Sequence, residues 1–394
     1  MSSYLSRTIW GIIVVTDRKK HLSHVKRVVV KVGSSLLTDS RRMKIRNGFL
    51  ESLARQIKIL QKRGVSCVVV TSGAIAAGMF ELGFTQRPKN MSQLQALAAV
   101  GQSNLMHAYD ATFRRFGLRV AQILLTRDDL SDRGRYSNAH STFLELFHFG
   151  IIPVVNENDT VAVEEIRFGD NDTLGVLVSH LCEADLLILL TDKDGYFNED
   201  PLVNPNAKLI SDIYQWDEKL VQGAGRSGSH VGTGGMLTKI KAAQNMMRSG
   251  IPMVIANGSS PSVLPGILDS KKIGTFFHPA AQKMASRKRW LAWSVKARGE
   301  MMIDPGAEKA LMEKNKSLLP AGIRKVLGTW EKGDIVRIVT MEGKEIAKGI
   351  SNYSSHDLDM VKGLRTDILV KKLGPGSVAE VVHRDNMVKT SNGV

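Results

Sequence analysis

Cysteine is nearly missing from this chain, with only Cys67 and Cys182 among 394 residues. The two show no metal-ligand spacing, and so few cysteines exclude a disulfide scaffold or a zinc finger. Both sit in apolar surroundings, the pattern of buried thiols in a reducing cytoplasm. Long apolar runs are lacking too. None approaches the roughly 18 residues that a membrane helix needs, so no membrane partner is expected. Acidic residues are outnumbered, 38 against 54 basic ones, and the formal net charge is +16. That imbalance permits binding to nucleic acid or an anionic surface without showing it.

What is present divides the chain. Residues 1–27 hold six Lys/Arg and one Asp, and residues 284–394 hold twenty Lys/Arg against thirteen Asp/Glu. The excess charge therefore gathers at the two ends. Residues 1–27 have a short apolar run, Ile9 to Val15, closed by charge rather than by a small-residue cleavage site. They are expected to be a disordered extension. Residues 28–283 read as one α/β domain. Residues 284–394 change texture: Trp290, Trp293 and Trp330 appear, glycines recur, and short β-like runs such as Ile335-Val-Arg-Ile-Val predict a small β-rich domain.

In the central part, strand-like and helical patterns alternate. Arg27-Val-Val-Val-Lys31-Val predicts a strand broken by Gly33-Ser34-Ser35. Val65-Ser-Cys-Val-Val-Val runs into Thr71-Ser72-Gly73-Ala74, a helix start that offers backbone N–H groups to an anion. Ile151 to Val155 ends abruptly in Asn156-Glu-Asn-Asp159, and Asp170-Asn171-Asp172 precedes a helical pattern. Taken alone, either polar cluster is accounted for by a solvated turn or a helix cap. Asp185-Leu-Leu-Ile-Leu-Leu predicts a further strand ending in Thr191-Asp192, and Thr160 to Phe168 alternates like a small hairpin. Such alternation indicates a mostly parallel sheet with helices on both faces, and ligands bind beyond the strand carboxyl ends of such sheets.

Two glycine clusters follow. Gly223-Ala-Gly-Arg-Ser-Gly228 spells the dinucleotide fingerprint, but it neither follows a strand nor opens a helix, so that reading is rejected. Gly232-Thr233-Gly234-Gly235-Met236-Leu237-Thr238-Lys239 does lead into a helix and suits a phosphate cradle, although it lacks the spacing of a Walker A loop.

Six stretches in series resemble the glutamate 5-kinases of the amino acid kinase family. They are Val30 to Ser35, Thr71 to Gly78, Asn156 to Asp159, Gly169 to Asp172, Leu190 to Asp192 and Gly232 to Lys239. Beyond residue 284, Asp304-Pro-Gly-Ala, Ser317 to Ile323 and Val382 to Met387 are similar to the PUA domain. The resemblance implies the amino acid kinase fold followed by a PUA domain. It also implies phosphorylation of the L-glutamate side-chain carboxylate by ATP with Mg2+, inhibition by proline, and a cytoplasmic homo-oligomer. By the same resemblance, Lys31, Lys239 and Asp172 are catalytic. Ser72, Gly73, Asn156, Asp159, Asp170 and Asn171 hold glutamate. Lys31, Gly33, Ser34, Thr191, Asp192, Thr233, Gly234, Gly235, Met236, Leu237, Thr238 and Lys239 hold ATP. Within the fold, N-acetylglutamate kinase, aspartate kinase, uridylate kinase and carbamate kinase share the lysine and glycine logic. RNA is a candidate ligand of the PUA domain, and an RNA-binding or RNA-modifying protein is the rival reading of a different class. Against it, the first 280 residues contain no RNA-reading motif.

Overall fold

The valine-rich run at the start of the central part forms β1, Arg27–Val32, and becomes the middle of the fold. The computed structural model describes residues 18–39, 41–162, 170–201, 203–218, 220–221, 235–280, 288, 290–291, 297–374 and 377–389. After β1 come two short strands, β2 Thr38–Asp39 and β3 Lys44–Ile45, which pair with each other. The remaining strands of the first unit are β4 Ser66–Val70, β5 Val120–Leu125, β6 Ile152–Glu157, β7 Leu186–Thr191, β8 Asp212–Ile213, β9 Met253–Asn257 and β10 Thr275–Phe277. They form one sheet in the order β5-β6-β4-β1-β7-β9-β10-β8. Every pairing in it is parallel except β10 with β9. This is the mostly parallel α/β sheet expected from the alternating pattern.

Alternation along β1 assigns its residues to two faces. Val28, Val30 and Val32 join a core with Leu50, Leu53, Ile57 and Leu60 of the helix Asn47–Lys62. Lys31 must then point to the opposite face, because successive strand side chains alternate. β4 lies on one side of β1 and β7 on the other, so the chain departs from β1 in both directions. Such a reversal opens a crevice at the strand carboxyl ends.

The amino-terminal expectation needs correction for residues 18–27. Arg18–Leu22 is helical, and Leu22 and Val25 are part of the same core as β1. Arg18 is buried. Its Nε lies 2.8 Å from Asp212 Oδ1, and Nη1 donates to the carbonyls of Lys271 and Ile273 at 3.1 and 3.2 Å. Its guanidinium also sits 5.3 Å from the centre of the Phe276 ring. Burial pushes the Asp212 carboxyl up, but hydrogen bonds from His278, Arg18 and Ser211 outweigh it and hold it well below the usual carboxylate range. A charge run suggested solvated chain; a long-range carboxylate and four carbonyl acceptors from elsewhere in the fold make one of those charges a buried anchor. Arg18→Ala is expected to lower unfolding free energy by about 2 kcal/mol, less than for a fully buried pair because Asp212 keeps some solvent. Urea denaturation measures this, and an unchanged midpoint would remove the anchor role.

The second unit comprises residues 284–394 together with Arg127–Tyr136, a segment that sequence reading assigned wholly to the first domain. Leu130 is fully buried and its carbonyl accepts the Trp290 indole N–H at 3.0 Å, with Tyr136 packed on the same cluster. A linear boundary cannot show this, because the association is made by a distant indole. The sheet of this unit has the order β12-β11-β13-β14-β15, from β11 Gly299–Ile303, β12 Ile323–Gly328, β13 Ile335–Val339, β14 Glu345–Ile350 and β15 Met387–Lys389. Trp330 is buried in its core and donates to the Tyr353 carbonyl at 3.1 Å. Asp304 caps the helix Pro305–Met312 by accepting from Ala307 N at 2.8 Å, with proline at the first helical position. Asp304, Ser317 and His383, one from each PUA-like stretch, line a single cleft of about 630 Å³.

Candidate active site

The helix Asn171–Leu181 begins with Asp170 as its N-cap, whose Oδ1 accepts from Thr173 N at 2.8 Å. That cap places Asp172 in the first turn, where the helix dipole favours a carboxylate. Asp172 is completely buried. Lys31 Nζ lies 2.7 Å from its Oδ1, an ionic contact without hydrogen-bond alignment. Lys239 Nζ donates to Oδ2 at 3.0 Å, and Thr238 Oγ1 lies 2.8 Å from the same oxygen. Burial pushes the Asp172 carboxyl up, but Lys31 and Lys239 outweigh it and hold it at about 2.

Three elements thus meet at one carboxylate. Lys31 comes from the end of β1, Asp172 from a helix start, and Lys239 from the first turns of the helix Met236–Ser249. Both lysines are buried. Two ammonium groups and one carboxylate leave the trio at +1. Asp170, close by, is raised, first by burial and then by repulsion from Asp172.

Beside this centre runs a polar relay. Asn171 Nδ2 donates to the Thr71 carbonyl at 2.6 Å and to Asn156 Oδ1 at 3.1 Å. Asn156 Nδ2 donates to Gln102 Oε1 at 2.9 Å, and the Thr71 hydroxyl meets the Tyr109 hydroxyl at 3.0 Å. β6 continues two residues past its apolar run and carries Asn156 inside the sheet. The next turn is tied down by Asn158 N, which donates to Leu125 O at 3.0 Å. Ser72 Oγ donates to the Val32 carbonyl at 2.8 Å, which pins the end of β4 to the end of β1. Gly73 follows at φ +96, a left-handed conformation that glycine adopts without steric cost, and opens the helix Ala74–Glu81.

Residues 26–257 match the amino acid kinase family, and residues 299–373 match the PUA domain. The glutamate 5-kinase of Caldanaerobacter subterraneus subsp. tengcongensis is 48% identical over 367 residues, covering 93% of this chain and 98% of that protein. The glutamate 5-kinase of Geobacter sp. strain M21 is 45% identical over 371 residues, covering 94% and 99%.

This chain belongs to the amino acid kinase family.

Within this family member, the residues expected to hold nucleotide are only partly brought together. Thr191 ends β7, and its hydroxyl donates to Asp192 Oδ1 at 3.1 Å, where Ser35 Oγ also approaches at 3.4 Å. Ser34 opens the short helix Ser34–Leu37 next to them. Gly33 departs from its expected role: its N–H is given to the Leu190 carbonyl at 3.0 Å, so it has no donor left for a phosphate. A Cβ at this position would sit 3.3 Å from the same carbonyl, so the glycine serves a close approach between β1 and β7. Thr233 and Gly234 lie outside the described residues, as do Gly223 to Gly228 and most of the hairpin expected from Thr160. Gly235 is the N-cap of the helix carrying Met236, Leu237, Thr238 and Lys239, and Thr238 reaches Asp172. Asp159 lies in the turn after β6.

Sequence reading of this kinase missed Gln102 and Tyr109. Both are buried on the helix Met91–Arg114 seven residues apart, with Leu105 between them, and so share a face. A glutamine among apolar positions at helical spacing was the available signal.

Proposed function

We propose that this chain transfers the γ-phosphoryl group of ATP to the side-chain carboxylate of L-glutamate, forming L-glutamate 5-phosphate at the first step of proline biosynthesis. One observation carries this reading: two buried lysines share one buried carboxylate at the topological reversal of the sheet. Both reactants are anions, so their repulsion must be offset before they meet. Lys31 and Lys239 supply that offset. Asp172 holds both lysines in place. A carboxylate oxygen of glutamate forms the new bond to phosphorus as the bond to the ADP oxygen breaks. No general base is needed, because the nucleophile is already ionised. Positioning and charge stabilisation account for most catalysis of this kind.

Ser72, Gly73, Asn156, Asp159, Asp170 and Asn171 are proposed to hold glutamate. A buried ammonium group calls for anionic partners, which Asp159 and Asp170 provide. The relative named for glutamate 5-kinase activity supports this choice of acceptor. Ser34, Thr191, Asp192 and the segment through Lys239 are proposed to hold ATP. Among the described residues no three His, Cys, Asp or Glu side chains converge on a cation site. Mg2+ is therefore proposed to enter on the triphosphate, its usual mode beside phosphates, and no step is derived through it.

Proline, an amino acid of similar length, is proposed to compete in the glutamate pocket. A homo-oligomer and a cytoplasmic location are further proposals. The second is supported by Cys67 and Cys182, unpaired thiols that burial pushes up to about 12 and so keeps protonated. For the C-terminal unit, RNA is proposed as a ligand of the cleft that presents Lys316, His383 and Arg384.

The test is to incubate protein, Mg-ATP, L-glutamate and hydroxylamine, which traps an acyl phosphate as its hydroxamate. Product with glutamate, and none with N-acetylglutamate or aspartate, is expected; absence of product with glutamate overturns the reading. Asn171→Ala and Asp159→Ala should raise KM for glutamate by roughly 10- to 100-fold, as expected for a lost hydrogen bond to a charged group. The effect on KM for ATP should be smaller. A larger loss of ATP affinity would mean that the pocket belongs to the other substrate.

A further inference from the structure

We infer that Gln102 binds the α-carboxylate of the amino-acid substrate through its side-chain N–H groups, and so selects for an acceptor with a carboxylate at both ends. The inference rests on glutamate being the acceptor and adds a residue to its pocket.

The direction of the amide relay decides what Gln102 can offer. The Thr71 carbonyl can only accept, so Asn171 must face it with Nδ2, at 2.6 Å. The same Nδ2 lies 3.1 Å from Asn156, which must therefore present its oxygen. Asn156 is then left with its nitrogen toward Gln102, and Gln102 must answer with Oε1, at 2.9 Å. Rotating the Gln102 amide would set two NH2 groups against each other. Orientation thus passes from a backbone carbonyl through three side chains, and the group left over at the far end is a donor.

That donor is Gln102 Nε2. It is buried and has no hydrogen-bond partner among the described residues. Gln102 as a whole is only 9% exposed. A buried amide nitrogen without an acceptor is a standing cost that native folds rarely carry. A ligand oxygen would remove it. An ammonium group would not, since it too can only donate.

Its position is held by the main chain. A Cβ on Gly101 would fall 1.8 Å from the Ala74 carbonyl, and one on Gly78 would fall 1.9 Å from the Leu97 carbonyl. The helices Met91–Arg114 and Ala74–Glu81 therefore cross at backbone contact distance. This crossing seats Gln102 against the end of β6 with little room to drift. The relay also tells which carboxylate it meets. Asn171 adjoins Asp172, which holds the two lysines, and Gln102 is two hydrogen bonds farther along. The reacting carboxylate belongs at the lysines, so the oxygen that reaches Gln102 comes from the other end of the substrate.

The experiment compares L-glutamate with 4-aminobutanoate, the same molecule without its α-carboxylate. KM for glutamate and Ki for 4-aminobutanoate against glutamate are measured in the wild type and in Gln102→Leu. Gln102→Leu should raise KM for glutamate by roughly 10- to 100-fold, as for a hydrogen bond to a charged group, with KM for ATP unchanged. Ki for 4-aminobutanoate should stay within about threefold, since that ligand never used Nε2. Parallel weakening of both would show that Gln102 only props Asn156, and an unchanged KM for glutamate would remove it from the pocket; either overturns the inference. Should circular dichroism show that the leucine variant does not fold, Gln102→Glu keeps the acceptor for Asn156 and must raise KM for glutamate by repelling its carboxylate. A wild type without glutamate-dependent hydroxamate would instead refute the proposed function, a result distinct from either.

Discussion

Lys239→Ala is expected to lower kcat by roughly 100-fold or more while leaving the protein folded, the loss typical when one preorganised charge-stabilising group is removed. The separation of the two effects follows from the geometry. Asp172 is shared, with Lys31 at 2.7 Å and Lys239 at 3.0 Å. When Lys239 is removed, Lys31 still neutralises the buried carboxylate, and no charge is left alone in the interior. The trio falls from +1 to neutral, so what disappears is its attraction for the transferring phosphoryl group. Lys31→Ala should behave in the same way. Hydroxamate turnover gives kcat, and urea denaturation gives stability. Near-normal turnover in a folded variant would remove both lysines from the chemistry.

Asp172→Asn should do the opposite, losing stability as well as activity. It leaves two buried ammonium groups facing each other with no carboxylate between them. Breaking a buried ionic arrangement by removing one partner costs about 3–5 kcal/mol. The acid limb should change too. The folded carboxyl titrates at about 2, below its ordinary 3.8, so its ionised form contributes full stability at higher pH. That contribution is lost as the pH falls from about 4 through 2. The asparagine variant has no such group, so the stability gap between the two proteins should narrow over that interval. A gap that stays constant down to pH 2 would show that Asp172 is not held ionised by the lysines.

The local pattern along the chain was sufficient for much of this. Alternation in Arg27–Val32 placed three valines on one face and Lys31 on the other, because strand side chains have a period of two. The abrupt change from Ile152-Pro-Val-Val to Asn156-Glu marked a strand whose tip delivers polar groups, and β6 does so. Asp170 before a helical run was open to a helix cap as well as to the glutamate contact expected of it, and it caps the helix. The mostly parallel sheet followed from strands and helices taking turns. These are short-range consequences of backbone geometry, written in neighbouring residues.

Tertiary structure decided what depends on distant parts meeting. Lys31, Asp172 and Lys239 are separated by 141 and 67 residues, yet they converge within 3.0 Å because the strand order turns back at β1. Gly33 read as a phosphate donor until Leu190 took its N–H across the sheet. Arg18 read as part of a solvated basic tail until Asp212, 194 residues away, was found beside it. Gln102 showed only as a glutamine among apolar helical positions, since its meaning lies in the order of donors along Asn171 and Asn156. The sequence by itself determined which residues could carry charge and hydrogen bonds at strand ends, because periodicity and capping are local. Which of those groups are already satisfied by the protein, and which remain for a substrate, only the fold decided, because a donor's partner is set by three-dimensional distance rather than by position along the chain.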